Sequence, residues 1–93
     1  MRLKWTKRAS KNLDDILAAI AAENATAGQR LAIDWMQQVS QLTEFPLLGR
    51  MGALAATREL VLHENYVAYY RVKAKTVEIV RVLHTKRQFP AAR

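Results

Sequence analysis

The amino-acid sequence predicts an α+β domain in which an antiparallel helical hairpin packs on an antiparallel sheet. Two neighbouring segments with helical periodicity come first, and three segments rich in β-branched and aromatic residues then follow one another closely. Helices that are grouped along the chain, instead of alternating with strands, are typical of this class. The 93 residues have the size of one domain and contain no internal repeat, so we treat residues 1–93 as a single domain.

A short strand and the first helix are predicted at the start of the chain. Residues 2–6 alternate, with Leu3 and Trp5 on one side of a half-buried strand, and Thr6 can cap the helix that follows. This helix is expected to end near Glu23 and Asn24. Its apolar face consists of Ala9, Leu13, Ile16, Leu17 and Ile20.

The second helix begins after a short break, which favours an antiparallel hairpin. Asn24 or Thr26 can cap it, Gly28 is expected to weaken its first turn, and Pro46 ends it because a residue before proline avoids the α region. Its apolar stripe consists of Leu31, Trp35, Val39 and Leu42 and is widened by Ala32, Ile33 and Met36. A stripe this wide predicts contact with both the first helix and a sheet.

The second half of the chain predicts a loop and then a three-stranded antiparallel meander. The loop covers residues 47–56 and carries Arg50 as an isolated base. The strands are predicted at residues 57–62, Tyr66–Lys73 and Thr76–His84, joined by turns at residues 64–65 and 74–75.

The last strand has two apolar sides. Val77, Ile79, Arg81 and Leu83 share one side, and Glu78, Val80, Val82 and His84 share the other. We expect the side of Val80 and Val82 to lie against the helices, although the alternation leaves the choice open. Arg81 in mid-strand needs either an ion-pair partner, such as Glu59 or Glu78, or an open groove, and both interpretations remain open.

The chain is strongly basic, with a formal net charge of +7. The bases concentrate at both ends: five lie in the first eleven residues, and residues 57–93 hold eight bases against three acids. Residues 12–45 hold one base against five acids. A basic surface of this kind predicts a polyanionic partner, either nucleic acid or an acidic protein, and a solvated face without a partner is the alternative.

Composition excludes several classes of protein and site. The absence of cysteine excludes disulfides and thiolate metal sites, and we expect neither a metal nor a cofactor. No apolar run approaches the length of a membrane span, and no apolar segment follows the N-terminal charges as in a signal peptide. We therefore expect a cytoplasmic protein.

Polar residues gather where the last strand ends. His84 precedes Lys86 and Arg87, and a histidine beside bases can act in acid–base catalysis, contact a phosphate, or simply form a hydrogen bond at a strand end. Such a set can in principle cleave RNA by activating a 2′-hydroxyl. The sequence contains no glycine-rich phosphate loop, no paired metal-ligand spacing and no Ser-His-Asp order.

Six motifs, which are spread over residues 13–90, resemble the RelE/ParE toxin superfamily. They are Leu13-Asp-Asp-Ile16, Phe45-Pro-Leu-Leu-Gly-Arg-Met-Gly52, Thr57-Arg-Glu-Leu-Val61, Asn65-Tyr-Val-Ala-Tyr-Tyr-Arg-Val72, Val77-Glu-Ile-Val-Arg-Val-Leu-His84 and Lys86-Arg-Gln-Phe-Pro90. The resemblance implies the toxin of a type II toxin–antitoxin pair, which its antitoxin wraps and neutralises in a hetero-oligomer.

Within this superfamily the sequence is more similar to the ParE branch than to the RNA-cleaving RelE branch. RelE-like members usually carry an arginine where this chain has Val67, two lysines where it has Arg58 and Leu60, and a terminal tyrosine where it has Phe89. Some nuclease members rely instead on a C-terminal histidine, and His84 is present. The resemblance to ParE-like members implies a poison of DNA gyrase. A resemblance to RelE-like members would instead imply cleavage of mRNA on the ribosome.

Three functions are therefore considered. The first is a growth-inhibiting, plasmid-stabilising toxin that binds DNA gyrase through Arg50, Arg58, Arg81, His84, Lys86, Arg87 and Phe89. The second is a metal-independent, ribosome-dependent mRNA interferase with Arg58, Arg81, His84 and Arg87 as catalytic residues. The third is a domain that retains only antitoxin binding and regulation. An acidic antitoxin segment should fold on the basic strands, with Trp5 and the edges of the helical hairpin as docking points.

Overall fold

The computed structural model describes residues 1–52, 54 and 56–85 and places two helices against a five-stranded sheet. The elements are β1 (Arg2–Trp5), α1 (Lys7–Glu23), α2 (Ala25–Ser40) with a 3₁₀ turn at Gln41–Thr43, β2 (Arg50–Met51), β3 (Arg58–His63), β4 (Tyr66–Lys73) and β5 (Thr76–His84). The strand order is β1-β5-β4-β3-β2. The predicted α+β class, the helical hairpin and the three-stranded meander are confirmed. No helix within the described ranges has the length and hydrophobicity to cross a membrane.

The sheet departs from the prediction in two places. It is mixed, because β1 pairs with β5 in parallel while the other pairs are antiparallel. In this pairing Leu3 lies beside Val77 and Trp5 beside Ile79, so the apolar side of β1 extends the core. The second departure is β2, which lies within the predicted loop. Two residues are too short to show an alternation, and their pairing with β3 depends on contacts distant along the chain.

The two helices join at Asn24, which serves both of them. Its backbone N–H donates to the Ile20 carbonyl at the end of α1, and its side-chain oxygen accepts from the Ala27 N–H, 3.0 Å away, at the start of α2. Gly28 packs so close to α1 that an added Cβ would lie 2.8 Å from the Ala21 Cβ. The glycine that we expected to weaken α2 therefore allows the two helices to approach each other.

The core lies between the helices and one face of the sheet. Ala9 of α1, Trp35 and Val39 of α2, and Leu42 of the 3₁₀ turn are buried against β3, β4 and β5, as the predicted stripes require. The stripe of α2 is narrower than we predicted. Ile33 is 63% exposed and Met36 is 43% exposed, because α2 meets the sheet along one side only and contacts α1 along the other.

A β-bulge in β5 explains why both sides of this strand are apolar. Tyr69 lies opposite Arg81, but Tyr70 lies opposite Ile79, so Val80 is an extra residue without a partner in the ladder. Val77 and Ile79 therefore face the helices before the bulge, and Val82 and His84 face them after it. Our expectation that Val80 would share the helix-covered side with Val82 was wrong, because strict alternation does not continue through a bulge.

Thr6 holds this bulge in place as well as capping α1. Its hydroxyl accepts from the Ala9 N–H at 3.0 Å and donates to the Val80 carbonyl at 3.3 Å. Its backbone N–H donates to the Ile79 carbonyl at 3.0 Å. The residue that ends β1 thus links the first helix to the irregular part of β5.

Candidate functional site

The face of the sheet turned away from both helices, here called the outer face, carries most of the charge on the strands. Cross-strand partners share a face, so the pair of Tyr69 with Arg81 and the pair of Arg71 with Glu78 lie on it. By the same register its bases are Arg2, Lys4, Arg50, Arg71, Lys73 and Arg81, and its acids are Glu59 and Glu78. The outer face is therefore positively charged.

Both acids of the outer face are ion-paired, but neither pair involves Arg81. Arg50 lies 3.1 Å from Glu59, and Arg71 lies 2.7 Å from Glu78. The hydrogen bond from Arg71, together with the charges of Arg71, Lys4 and Lys73, lowers the pKa of the Glu78 carboxyl. The pair of Arg71 and Glu78 could have been predicted from the sequence. Counting outward from the predicted turn at residues 74–75 places Arg71 opposite Glu78.

Arg81 lies in the middle of this surface with part of its guanidinium buried. Its Nε is buried, and no acceptor for a hydrogen bond from it exists among the described residues. A buried donor without an acceptor is costly, on the order of 1–3 kcal/mol. Of the two interpretations of Arg81, an ion pair or an open groove, the surroundings of its Nε favour the groove.

Tyr69 is buried beside Arg81 on the outer face. Burial raises the pKa of its phenol, and the nearby Glu59 carboxylate raises it further, while Arg50 and Arg81 act in the opposite direction. A phenol with a raised pKa is protonated at neutral pH and is a poor general base. The centre of the outer face therefore carries guanidinium groups beside a neutral, buried phenol, and the positive charge suits the binding of anions.

Arg58 lies on the helix-covered face, opposite Tyr70, and holds the loop before β2. Its Nη1 donates to the Gly49 carbonyl at 2.8 Å. The Tyr70 hydroxyl accepts from the Gly49 N–H at 2.8 Å and donates to the Pro46 carbonyl at 2.7 Å. We call the contacts of Tyr70 and Arg58 with residues 46–49 the loop latch.

The loop latch leaves no room for a side chain at Gly49. A Cβ there would lie 2.6 Å from the Glu59 carbonyl oxygen and 2.7 Å from Cε1 of Tyr70. The link between Tyr70 and Gly49 was not predicted from the sequence. The two are 21 positions apart, and no local pattern connects them.

His84 lies at the end of β5 on the helix-covered face, opposite Tyr66. The two rings meet edge to face with centroids 5.0 Å apart, and Tyr66 also contacts Trp35 at 5.1 Å. The side chain of His84 is half-buried beside Asn12 and Asp15 of α1. It is therefore part of an aromatic cluster on the other side of the sheet from Arg81.

The described members of the predicted catalytic set do not converge. Arg58 and His84 share the helix-covered face, but their partners Tyr70 and Tyr66 are four residues apart on β4, or about 13 Å. Arg81 is on the outer face. Among the predicted binding residues, Arg50 and Arg81 share that face, while Lys86, Arg87 and Phe89 lie outside the described residues.

Residues 3–89 match the model of the ParE toxin of type II toxin–antitoxin systems, parDE. The chain belongs to the ParE toxin family. This ParE-family chain is thus the toxin of a type II toxin–antitoxin system, and that context implies a cognate antitoxin as its partner.

Two relatives of this ParE-family toxin are themselves named as toxins. It is 39% identical over 90 residues to the candidate toxin Y4kP of Sinorhizobium fredii, covering 96% of this chain and 93% of that protein. It is also 39% identical over 83 residues to Toxin RelE2 of Caulobacter vibrioides, covering 89% of this chain and 93% of that protein.

Solved structures share its fold. A chain of the chromosomal ParDE system from P. aeruginosa matches with a TM-score of 0.79 and 28% identity, covering 90% of this chain and 95% of that one. The YoeB/ParE toxin from Agrobacterium tumefaciens matches with a TM-score of 0.64 and 14% identity over 90% of this chain and 98% of that one, which shows a common fold alone.

Proposed function

We propose that this ParE-family toxin stops growth by binding DNA gyrase and does not cleave RNA. The observation that carries the proposal is the separation of Arg81 from Arg58 and His84 by the sheet. Cleavage of RNA needs a general base and a charge-stabilising group at the same phosphate, within hydrogen-bond reach of it. Groups on opposite faces of one sheet do not reach a common phosphate. Membership of the ParE family supports the same conclusion.

The test is a supercoiling assay with purified toxin and DNA gyrase. We expect loss of supercoiling at micromolar toxin, accumulation of cleaved DNA complexes, and recovery when the cognate antitoxin is added in equal amount. The toxin must be shown to be folded by circular dichroism in the same preparation. A folded toxin with no effect on gyrase at 10 µM, a concentration on the order of a weak specific complex, would exclude the proposal.

The second candidate is a ribosome-dependent mRNA interferase with Arg58, Arg81, His84 and Arg87 as catalytic residues. Two observations favour it: the relative named Toxin RelE2, and the buried Nε of Arg81 without a described acceptor. Primer extension on translated messages should then reveal new 5′ ends after induction, and His84→Ala should abolish them. The third candidate, a domain with antitoxin binding alone, is supported if induction without antitoxin leaves growth unchanged.

We further propose that the antitoxin docks on the loop that the latch holds. Leu47 is 67% exposed and Met51 is 70% exposed, and the two side chains line one shallow groove of about 300 Å³ beside Arg58 and Arg71. An acidic amphipathic segment would place apolar side chains in this groove and carboxylates beside the arginines. Binding should weaken as the salt concentration rises, because salt screens the attraction between the carboxylates and the arginines. The apolar side chains of the loop should supply the apolar burial.

Matched variants distinguish this docking site from the predicted one on the helical hairpin. Leu47→Ser with Met51→Ser should weaken antitoxin binding about 100-fold, or roughly tenfold for each apolar side chain that loses its burial. Ile33→Ser, at an equally exposed position of α2, is the control. The reverse result, in which Ile33→Ser weakens binding and the loop variant does not, would place the antitoxin on the hairpin.

A further inference from the structure

A series of bases runs across the outer face and onto the start of α1. Arg8, Arg71 and Arg81 line one shallow groove of about 450 Å³, together with Thr6 and Thr57. Lys4, Arg71 and Lys73 line a second groove of about 360 Å³. The grooves adjoin because they share Arg71. We call these five bases, Lys4, Arg8, Arg71, Lys73 and Arg81, the basic track.

The basic track carries a large excess of positive charge. The acid that lines these two grooves is Glu78, and it pairs with Arg71 at 2.7 Å. The lowered pKa of the Glu78 carboxyl keeps it ionised at neutral pH, so it neutralises about one of the five bases. Arg81 adds a buried Nε for which no described residue is an acceptor. The track therefore has both the charge and an unused donor for an anion with several oxygen atoms.

The length of the basic track fits a polymer better than a single ion. Arg71 lies two residues along β4 from the partner of Arg81, which separates the two positions by about 7 Å. A third groove, of about 410 Å³, continues from Arg8 along α1 to Lys7 and Lys11, and Asp15, which also lines it, pairs with Lys11 at 3.2 Å. Bases placed at successive sites along a surface match the repeating charge of a phosphate backbone.

The positions of the exposed apolar residues indicate whether a nucleic acid or a protein segment binds to the basic track. A segment that folds on binding needs apolar burial beside its charges. None of the large exposed hydrophobic residues lines the three grooves of the basic track; Phe45, Leu47, Leu48 and Met51 belong to the loop before β3. Arg71 also lines the groove of Leu47 and Met51, and the half-buried Leu54 and Val80 lie beside Arg81, but the large exposed apolar side chains are outside the track.

We infer that the basic track binds the phosphodiester backbone of nucleic acid. The inference goes beyond the proposed inhibition of gyrase and requires no cleavage. Binding is electrostatic and independent of base sequence, because the contacts are guanidinium and ammonium groups on phosphates. If gyrase is unaffected by the toxin while oligonucleotides still bind, the proposed function fails and this inference stands.

The experiment measures fluorescence anisotropy of labelled 20-mer oligonucleotides with the full-length toxin. Duplex DNA, single-stranded DNA and single-stranded RNA are tested separately, and the tightest of the three identifies the nucleic acid. With about four phosphates neutralised, the logarithm of the association constant for duplex DNA should fall with the logarithm of salt with a slope of about −4. Wild-type protein at several salt concentrations gives this slope directly.

The variants Arg8→Gln and Arg30→Gln form a matched pair. Both arginines are exposed on helices, and each change lowers the net charge from +7 to +6, but Arg30 lines none of the three grooves. Loss of one phosphate contact should weaken binding about eightfold at 0.1 M salt, taking 1 M salt as the reference, and should reduce the slope by about 0.9. We expect this change for Arg8→Gln and almost none for Arg30→Gln.

Glu78→Gln should increase the affinity for the oligonucleotides, and a misfolded variant would not show such an increase. Removal of its charge frees Arg71 at nearly constant shape, so binding should tighten severalfold. Equal losses in Arg8→Gln and Arg30→Gln would overturn the inference, since total charge would then explain the binding. So would a poly-glutamate peptide that binds in an Arg8-dependent manner while none of the oligonucleotides binds, which would make the track a site for an acidic protein.

Discussion

Tyr70→Phe tests the loop latch by removing a single oxygen atom. The Tyr70 side chain is fully buried, at 0% exposure, and its hydroxyl makes two hydrogen bonds to the loop, at 2.8 Å and 2.7 Å. The substitution leaves the Gly49 N–H and the Pro46 carbonyl without this partner. Each unsatisfied group costs roughly 1–3 kcal/mol when it remains buried. Pro46 is only half-buried and gains water, so we expect a loss of about 2 kcal/mol.

Urea denaturation followed by circular dichroism measures this loss in the free energy of unfolding. For a domain of this size about 2 kcal/mol corresponds to a decrease of roughly 10 °C in Tm. The Gly49 amide should also exchange with solvent faster in the variant, which NMR detects at that residue. Because the latch holds the loop that carries Leu47 and Met51, antitoxin binding should weaken as well.

Tyr66→Phe is the control for this prediction. It removes the same atom from a tyrosine of the same strand, whose hydroxyl makes no hydrogen bond to any described residue. We expect its stability to lie within about 0.5 kcal/mol of the wild type. If Tyr70→Phe costs no more than Tyr66→Phe, and the Gly49 amide exchanges at an unchanged rate, the latch does not stabilise the loop.

Three further predictions concern the helices and the buried tyrosines. Thr6→Val should lose about 1–2 kcal/mol of stability in urea denaturation, because it removes the cap of α1 and the hydroxyl contact with the bulge, whereas the exposed Thr26→Val should lose much less. Gly28→Ala should lower stability by about 1 kcal/mol, since overpacking against α1 exceeds the gain in helix propensity; a rise in Tm would contradict the close packing. Stability should fall as pH rises above 10, because burial raises the pKa of both Tyr69 and Tyr70 and the unfolded chain then releases its protons first. Urea midpoints at pH 8.5 and 10.5 measure this fall, and Tyr70→Phe should reduce it.

The sequence alone predicted the features that depend on neighbouring residues. The apolar spacing of Leu13, Ile16 and Leu17 placed α1 against the core, and Thr6 was identified as its cap. The long β-branched run at Thr76–His84 predicted β5 with the observed limits. Side chains three or four residues apart in a helix, or two apart in a strand, lie on the same face. Their spacing therefore predicts the element and its buried face without knowledge of distant contacts.

The motifs that resemble the RelE/ParE superfamily also predicted the family correctly, and the match of residues 3–89 confirms it. The placement of the candidate site residues was not predictable in this way. Arg58, Arg81 and His84 were grouped because basic residues and a histidine can cleave RNA, and because Arg58 stands where RelE-like members carry a lysine. Only the register assigned Arg58 to the loop latch and Arg81 to the outer face.

The tertiary structure decided these points because they depend on pairing between distant parts of the chain. One extra residue at Val80 reverses which side of β5 faces the helices, and nothing in the local sequence marks it, because valine fits either side. The parallel pairing of β1 with β5 joins segments that are more than 70 residues apart. The sequence by itself determined both helices, every strand except β2, the cap of α1 and the family of this protein. The bulge and the strand register determined which charges share a face, and therefore where an anion or a partner protein can bind.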